Sequence, residues 1–254
     1  MTGDGNANRL EGGSGSDTLD GGTGDDTLIG GADDDLFLGG AGADDLQGDG
    51  GTDEVDYSGS ASGVTLSLAS GGTGGDAAGD SYTSIENVTG SGSDDDITGD
   101  SGDNVIDGGD GNDTLEGGGG ADTLSGGAGN DTFNLDEDLI DLSSIIDGGT
   151  GDDRVNVSDT SGGGFNAADL FSTLHDVEVI DFTGAGVSAT IDLNAAAVQA
   201  MTDADNELTL YIDGDDTLNL TGTYTTDVVS GTETVYTFTD AMSNPIAELT
   251  VFTG

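Results

Sequence analysis

Residues 108–134 can be written as three consecutive nines, GGDGNDTLE, GGGGADTLS and GGAGNDTFN, each a case of G-G-x-G-x-D-x-U-x with U a large apolar residue. Glycines, aspartate and apolar residue stay in phase throughout, which is the signature of a nonapeptide array in which every unit folds alike. Glycine at the first, second and fourth places accepts positive φ and close backbone approach, so a tight turn is expected over the first six residues. The last three, Thr114-Leu115-Glu116 in the first unit, read as a minimal strand with Leu115 facing inward and its neighbours facing water. A second turn and strand must bring the chain back, so two nines make one coil and residues eighteen apart stack about 4.8 Å from each other.

Stacking places Asp113 beside Asp131, and Asp95 beside Asp113. Like charges at that distance repel and would open the coil unless a cation sits between them. Carboxylates and glycine carbonyls are oxygen-only donors at flexible geometry, which suits Ca²⁺ better than the stricter, water-keeping Mg²⁺. These residues resemble the RTX (repeats-in-toxin, hemolysin-type) calcium-binding family. What the resemblance implies is a parallel β-roll, with several calcium ions held between successive turns by the sixth-place residues and backbone carbonyls. Carried onto this sequence, the sixth-place set is Asp17, Asp26, Asp35, Asp44, Asp53, Asp95, Asp113, Asp122, Asp131 and Asp153, with the amides Asn8 and Asn104. The implied carbonyls are those of Gly12, Gly15, Gly21, Gly24, Gly30, Gly39, Gly42, Gly108, Gly111, Gly117, Gly120, Gly126 and Gly129. Without calcium the same Gly/Asp-rich chain is expected to be disordered.

The first array starts almost at once. Residues 3–11 are a degenerate repeat, 12–20, 21–29 and 39–47 are perfect, 30–38 carries Asp33 in place of its fourth glycine, and 48–56 carries Asp49 in place of its second. Eighteen-residue stacking gives two ladders, Asp17/Asp35/Asp53 and Asn8/Asp26/Asp44, of which the Asn8 end is expected to be weakest because an amide brings no charge. Residues 57–89 break the phase. They read as a strand at 64–68, a Gly-rich loop at 71–79 and a second strand around 85–88, continuing the stack as a wider coil with an excursion. The second array runs from Gly90 to Asn134, with ladders Asp95/Asp113/Asp131 and Asn104/Asp122. A thirteen-residue insert, 135–147, precedes one more complete repeat at 148–156, and Asp153 reaches Asp131 if the insert bulges outward.

Beyond residue 156 the glycines thin out. Strands are expected at 177–182, 189–193, 208–213, 217–220, 235–239 and 247–252, with helices capped by Asn166 and Asn194. The pieces VEVIDFTG and LYIDGDDTLNLTG are similar to a segment recurring in large RTX surface proteins. The expected fold class is therefore all-β: a parallel β-roll over 1–156 with insertions at 57–89 and 135–147, then a smaller β-rich assembly or secretion-signal domain at 157–254 with one or two short helices.

Charge and composition narrow the function. Asp and Glu total 52 against two basic residues, Arg9 and Arg154, for a formal charge of −50, which rules out nucleic acid and anionic membrane as direct partners. Of those acids 36 fall within 1–156, so the charge tracks the repeats. There is no cysteine, and calcium replaces disulfides as the staple of an extracellular chain. No stretch reaches the ~20 apolar residues of a membrane span, and the N-terminus lacks the basic start and apolar core of a signal peptide. The resemblance implies type I secretion by a C-terminal signal from a bacterial cell. His175 is the sole histidine, and no HExxH, G-x-S-x-G, P-loop or dinucleotide fingerprint occurs, so no enzyme is expected. The expected protein is a secreted calcium-binding structural component of the cell surface or matrix, such as a filament, surface-layer or adhesin component. Its uncovered first coil points to self-association by head-to-tail contacts. The alternative is the non-catalytic C-terminal module of a type I-secreted enzyme or toxin, and a lectin-like role for 157–254 is a third reading.

Overall fold

The computed structural model describes residues 1–136, 144–158, 170, 173–183, 190–194, 198–199, 202, 207–212, 217–221, 224–230, 233–239 and 245–253. From Arg9 to Gly50 every strand is six residues long, and the second array mixes six-residue strands with shorter ones such as Thr114–Glu116. Thr18–Thr23, Thr27–Ala32 and Thr123–Ala128 each join the last three residues of one nine to the first three of the next. Between such strands the turn is three residues, shorter than the six expected from glycine content, because the first glycines remain extended and paired, as in Gly13↔Gly31 and Gly109↔Gly127, whereas the expected six residues separate Thr114–Glu116 from Thr123–Ala128. Burial alternates along each strand, so in Thr18–Thr23 both Leu19 and Gly21 face inward.

Eighteen-residue stacking is the register of the sheets: Leu10 pairs with Leu28 and Leu28 with Leu46, Leu19 with Phe37, Leu115 with Phe133. All of these apolar side chains but the partly buried Leu10 are essentially inaccessible, and they belong to one continuous column from Leu19 to Val251. Each contributes about 1.5–3 kcal/mol by leaving water. The helix expectations around Asn166 and Asn194 fall largely outside the described residues. Within them Thr202 donates to Val198 O at 3.2 Å, and Val198 is buried.

One sheet of eight strands, 18–23, 36–41, 54–56, 87–89, 105–110, 123–128, 145–150 and 174–175, runs from the first coils to His175. Opposite it stand two others in succession: a four-stranded sheet (9–14, 27–32, 45–50, 81–83) and an eleven-stranded one beginning at 65–67. Residues 57–89 make the exchange. From Asp56 the chain crosses to Thr65–Ser67, forms an antiparallel hairpin with Gly71–Gly74 where a loop was expected, and makes a 3₁₀ turn over Gly75–Ala77. It then adds Ser81–Thr83 to the four-stranded sheet and rejoins the eight-stranded sheet at Asn87–Thr89, between 54–56 and 105–110.

The eleven-stranded sheet passes through 154–158 into 179–181, 207–212 and 245–253 without a break, so Val157 lies inside a strand. After 245–253 the pairing turns antiparallel, to 233–239 and then 224–230, the last a strand not expected from the sequence. Arg154 lies on the outer face, with its guanidinium on Asp181, its Nε donating to Asn156 Oδ1 at 2.7 Å, and its charge 5.2 Å from the centre of the Tyr211 ring.

Candidate calcium ladders along the turns

The sixth-place aspartates are buried, apart from the half-buried Asp17, and their two oxygens do different things. Oδ1 accepts the backbone N–H of the aspartate one coil earlier: Asp17 N to Asp35 at 2.7 Å, and Asp26 N to Asp44, Asp35 N to Asp53, Asp95 N to Asp113, Asp113 N to Asp131 and Asp131 N to Asp153, each at 2.8 Å. Oδ2 of Asp17, Asp26, Asp35, Asp44, Asp53, Asp113, Asp131 and Asp153 is buried and accepts no hydrogen bond. A buried polar atom left bare costs about 1–3 kcal/mol, and more when charged. Eight in one stack is a demand for a counter-charge.

The bare oxygen lies over the first glycine of its own nine, where there is no room for a side chain. A Cβ on Gly12 would stand 2.7 Å from both Asp17 Oδ2 and the carbonyl of Gly30 in the next coil. On Gly21 it would meet Asp26 Oδ2 at 2.5 Å and Gly39 O at 2.7 Å. The same convergence recurs at Gly108, where Asp113 Oδ2 and Gly126 O approach, and at Gly126, with Asp131 Oδ2 and Gly148 O. The first glycine is thus fixed by space and not by positive φ, which belongs to the second and fourth places. There Asp33 (φ 73°) and Asp49 (φ 65°) take up the left-handed conformation of the glycines they replace. The fourth-place carbonyls stack instead on the next fourth-place glycine, as Gly24 O on Gly42 and Gly111 O on Gly129.

Each recess therefore offers a bare carboxylate oxygen and a first-glycine carbonyl, with a second carboxylate one coil on. Among the described residues no three His, Cys, Asp or Glu side chains converge, so side chains alone do not complete a shell. A donor set of few carboxylates and several carbonyls fits calcium. Without the ion the recess resists ionisation. Burial, ahead of the repulsion of neighbouring acids, pushes Asp44 up to about 6 and both Asp113 and Asp153 up to about 7. Asp53 and Asp131 are raised as well, again chiefly by desolvation.

Four expected members stand apart. Asn104 uses its whole amide internally, accepting from Asp100 N at 2.9 Å and donating to Glu86 O at 2.8 Å. Asn8 accepts from Asp4 N at 2.6 Å. Asp95, in the looser nine with Ser91 at its second place, accepts from Ser91 N at 2.6 Å, Ser91 Oγ at 2.8 Å and Val64 N at 2.6 Å, leaving neither oxygen open. Asp122 receives Asn104 N at 2.9 Å and gives its own N–H to Ser144 Oγ at 3.0 Å.

Sequence reasoning missed a second ladder at the exposed fifth place, running in the opposite sense. Asp25 Oδ1 accepts from Ala43 N, Asp34 from Thr52 N, Asp94 from Asn112 N, Asn112 from Asn130 N and Asn130 from Asp152 N, at 2.8–3.1 Å. The frequency of Asp and Asn at that place was the available signal.

The family model of the RTX calcium-binding nonapeptide repeat matches four times, at residues 2–37, 29–59, 89–124 and 107–138. These two stretches of the chain, 2–59 and 89–138, are RTX calcium-binding repeats. Those repeats bind multiple calcium ions, so the recesses above have an ion of known class to accommodate. RTX repeats also mark a secreted protein of bacterial type. No helix among the described residues is long and apolar enough to cross a membrane. Comparison of the whole sequence with curated proteins gives no match.

Proposed function

We propose that this RTX protein is a non-enzymatic structural component of the cell surface or extracellular matrix, which folds as calcium enters its ladders and then assembles head to tail. In this reading each ion sits between a sixth-place aspartate with an open Oδ2 and the carbonyl of the first glycine one coil on. The observation that supports assembly is an unpaired edge. Strand Arg9–Ser14 is hydrogen-bonded to Thr27–Ala32 on one side only, and Leu10 packs against the core without being buried. Such an edge presents a row of N–H and C=O groups to any incoming strand. Its neighbour is covered differently: Thr2 bridges to Asp20, and Gly3 N donates to Asp20 O at 2.7 Å.

A strand of another copy accepted at this edge would come from a different surface, so the contact is heterologous and propagates as a filament or lattice. At a net charge of −50 the chains repel until bound cations lower it, making assembly calcium-dependent. Light scattering and electron microscopy at about 10 mM calcium, above the millimolar Kd range of extracellular sites, should show growing particles that chelation disperses. Strict monomers in both conditions would overturn assembly and favour the non-catalytic C-terminal module of a type I-secreted enzyme or toxin.

A further inference from the structure

Two turns outside the nonapeptide pattern rebuild the same recess with a glutamate. Their sequences are Ser84-Ile85-Glu86-Asn87-Val88 and Asp176-Val177-Glu178-Val179-Ile180, and neither falls within a stretch matched by the repeat model. Glu86 Oε2 accepts Asp53 N at 2.9 Å and Glu178 Oε2 accepts Asp153 N at 2.8 Å, the bond that the next sixth-place aspartate makes elsewhere. Backbone contacts repeat in parallel: Glu86 N and Asn87 N both donate to Asp53 O at 3.1 and 2.9 Å, and Glu178 N and Val179 N to Asp153 O at 3.1 and 2.9 Å. Two positions before each glutamate the chain turns through a left-handed residue, Ser84 at φ 51° and Asp176 at φ 48°. That turn aims a carbonyl at the first glycine of the facing nine. A Cβ on Gly48 would overlap Ser84 O and Asp53 Oδ2, and one on Gly148 would overlap Asp176 O and Asp153 Oδ2.

Asp53 and Asp153 are each 0% exposed, and the Oδ2 of each is without a hydrogen-bond donor. A buried carboxylate oxygen, a carbonyl oxygen and a second carboxylate therefore meet at each place, as in the recesses lined by first-place glycines. We propose that Asp53 with Glu86 and the Ser84 carbonyl, and Asp153 with Glu178 and the Asp176 carbonyl, form two further calcium sites that end their ladders. Two other ladder steps meet a partner that offers no open carboxylate, which sharpens the contrast. Asp80 accepts Asp44 N on one oxygen and the Tyr57 hydroxyl at 2.7 Å on the other, and Ser144 presents a neutral hydroxyl to Asp122. The glutamate turns let the stack load calcium at two of its phase breaks, after 48–56 and after 148–156, where the nine-residue signature stops.

The inference rests on the calcium reading above, and the test separates the two. Glu86→Gln and Glu178→Gln keep an acceptor for the aspartate N–H and remove only the charge. Native mass spectrometry of the full chain, stripped and reloaded with calcium, should count one ion fewer in each variant and two fewer in the double variant, while Glu116→Gln on an outer strand position matches wild type. An unchanged count in variants of a wild type that loads calcium overturns the proposal alone. A wild type that binds no calcium overturns the calcium reading itself. Should a variant lose its β circular dichroism in calcium, wild-type crystals soaked in terbium decide: anomalous peaks beside Asp53 Oδ2 and Asp153 Oδ2 support the sites, and their absence overturns them.

Discussion

The first glycine and the sixth aspartate of each nine are two halves of one feature, since the missing Cβ is the room in which the bare Oδ2 sits. Gly108→Ala would push a methyl against Asp113 Oδ2 and to 2.9 Å from Gly126 O, on a backbone that is not left-handed. It should cost one bound calcium, read by calorimetric stoichiometry. Gly13→Ala probes the other use of glycine. Its Cβ would meet nothing within 4 Å but would be held at φ 105°, so it should keep every ion and lose about 1–2 kcal/mol in urea unfolding from backbone strain alone. Asp113→Asn separates charge from shape, because Asn104 shows that an amide fits this place by bonding internally. In calcium the variant should lose the contribution of one site, about 1.4 kcal/mol at tenfold excess over Kd. In chelator it should be more stable than wild type, because one buried carboxylate fewer is left bare. Equal stabilities in chelator would contradict the assignment of Oδ2 as the unsatisfied atom.

At the level of strands and turns, much was legible because the nine-residue phase carries both period and chemistry. Leu10/Leu28/Leu46 and Asp17/Asp35/Asp53 could be aligned before any coordinates, and the sheets keep that register. Illegible parts depend on contacts across irregular separations. The Tyr57–Asp80–Tyr82 cluster and the Glu86 turn require knowing that Val88 pairs with Val55, thirty-three residues away, which no local pattern encodes. Asp153 meets Asp131 across twenty-two residues in place of eighteen, a step that the nine-residue phase does not encode.

The ladders also predict a pH response. Metal-free, Asp44 lies at about 6 and Asp113 and Asp153 at about 7 against an ordinary 3.8, so the folded chain holds these protons more tightly than the unfolded one. Stability of the metal-free coil is therefore fully present below the ordinary carboxylate value and lost as pH rises toward 7. Circular dichroism in chelator should show more β structure near pH 4.5 than at pH 8. Calcium must displace those protons, so its apparent affinity should weaken as pH falls from 7 to 5, and calorimetry in two buffers at pH 6 should report proton release. A pH-independent affinity across that window would contradict the burial of these carboxylates.

Across the whole molecule two electrostatic costs compete for the blame when calcium is withdrawn, and they differ in range. Net charge of −50 repels over the full length of the stack, whereas the eight bare Oδ2 atoms are local, dehydrated and out of reach of bulk ions. Salt at about 1 M shortens the screening length to about 3 Å and so removes the long-range part. It supplies no divalent ion for the recess at Asp26 and Gly39 or at Asp113 and Gly126, where the oxygens converge. Because each coil rests only on its neighbours, losing the ions at successive steps leaves no separate core able to hold the rest. An unfolded chain of this length has a radius of gyration of about 55 Å, roughly three times that of a compact one. Small-angle scattering in chelator at pH 8 should therefore give a strongly expanded chain, and about 1 M NaCl should contract it only slightly. A few millimolar calcium at low salt should restore the folded dimensions in a steep, cooperative step. Recovery of the folded dimensions by NaCl alone would show that net repulsion, not the bare carboxylates, is what calcium relieves.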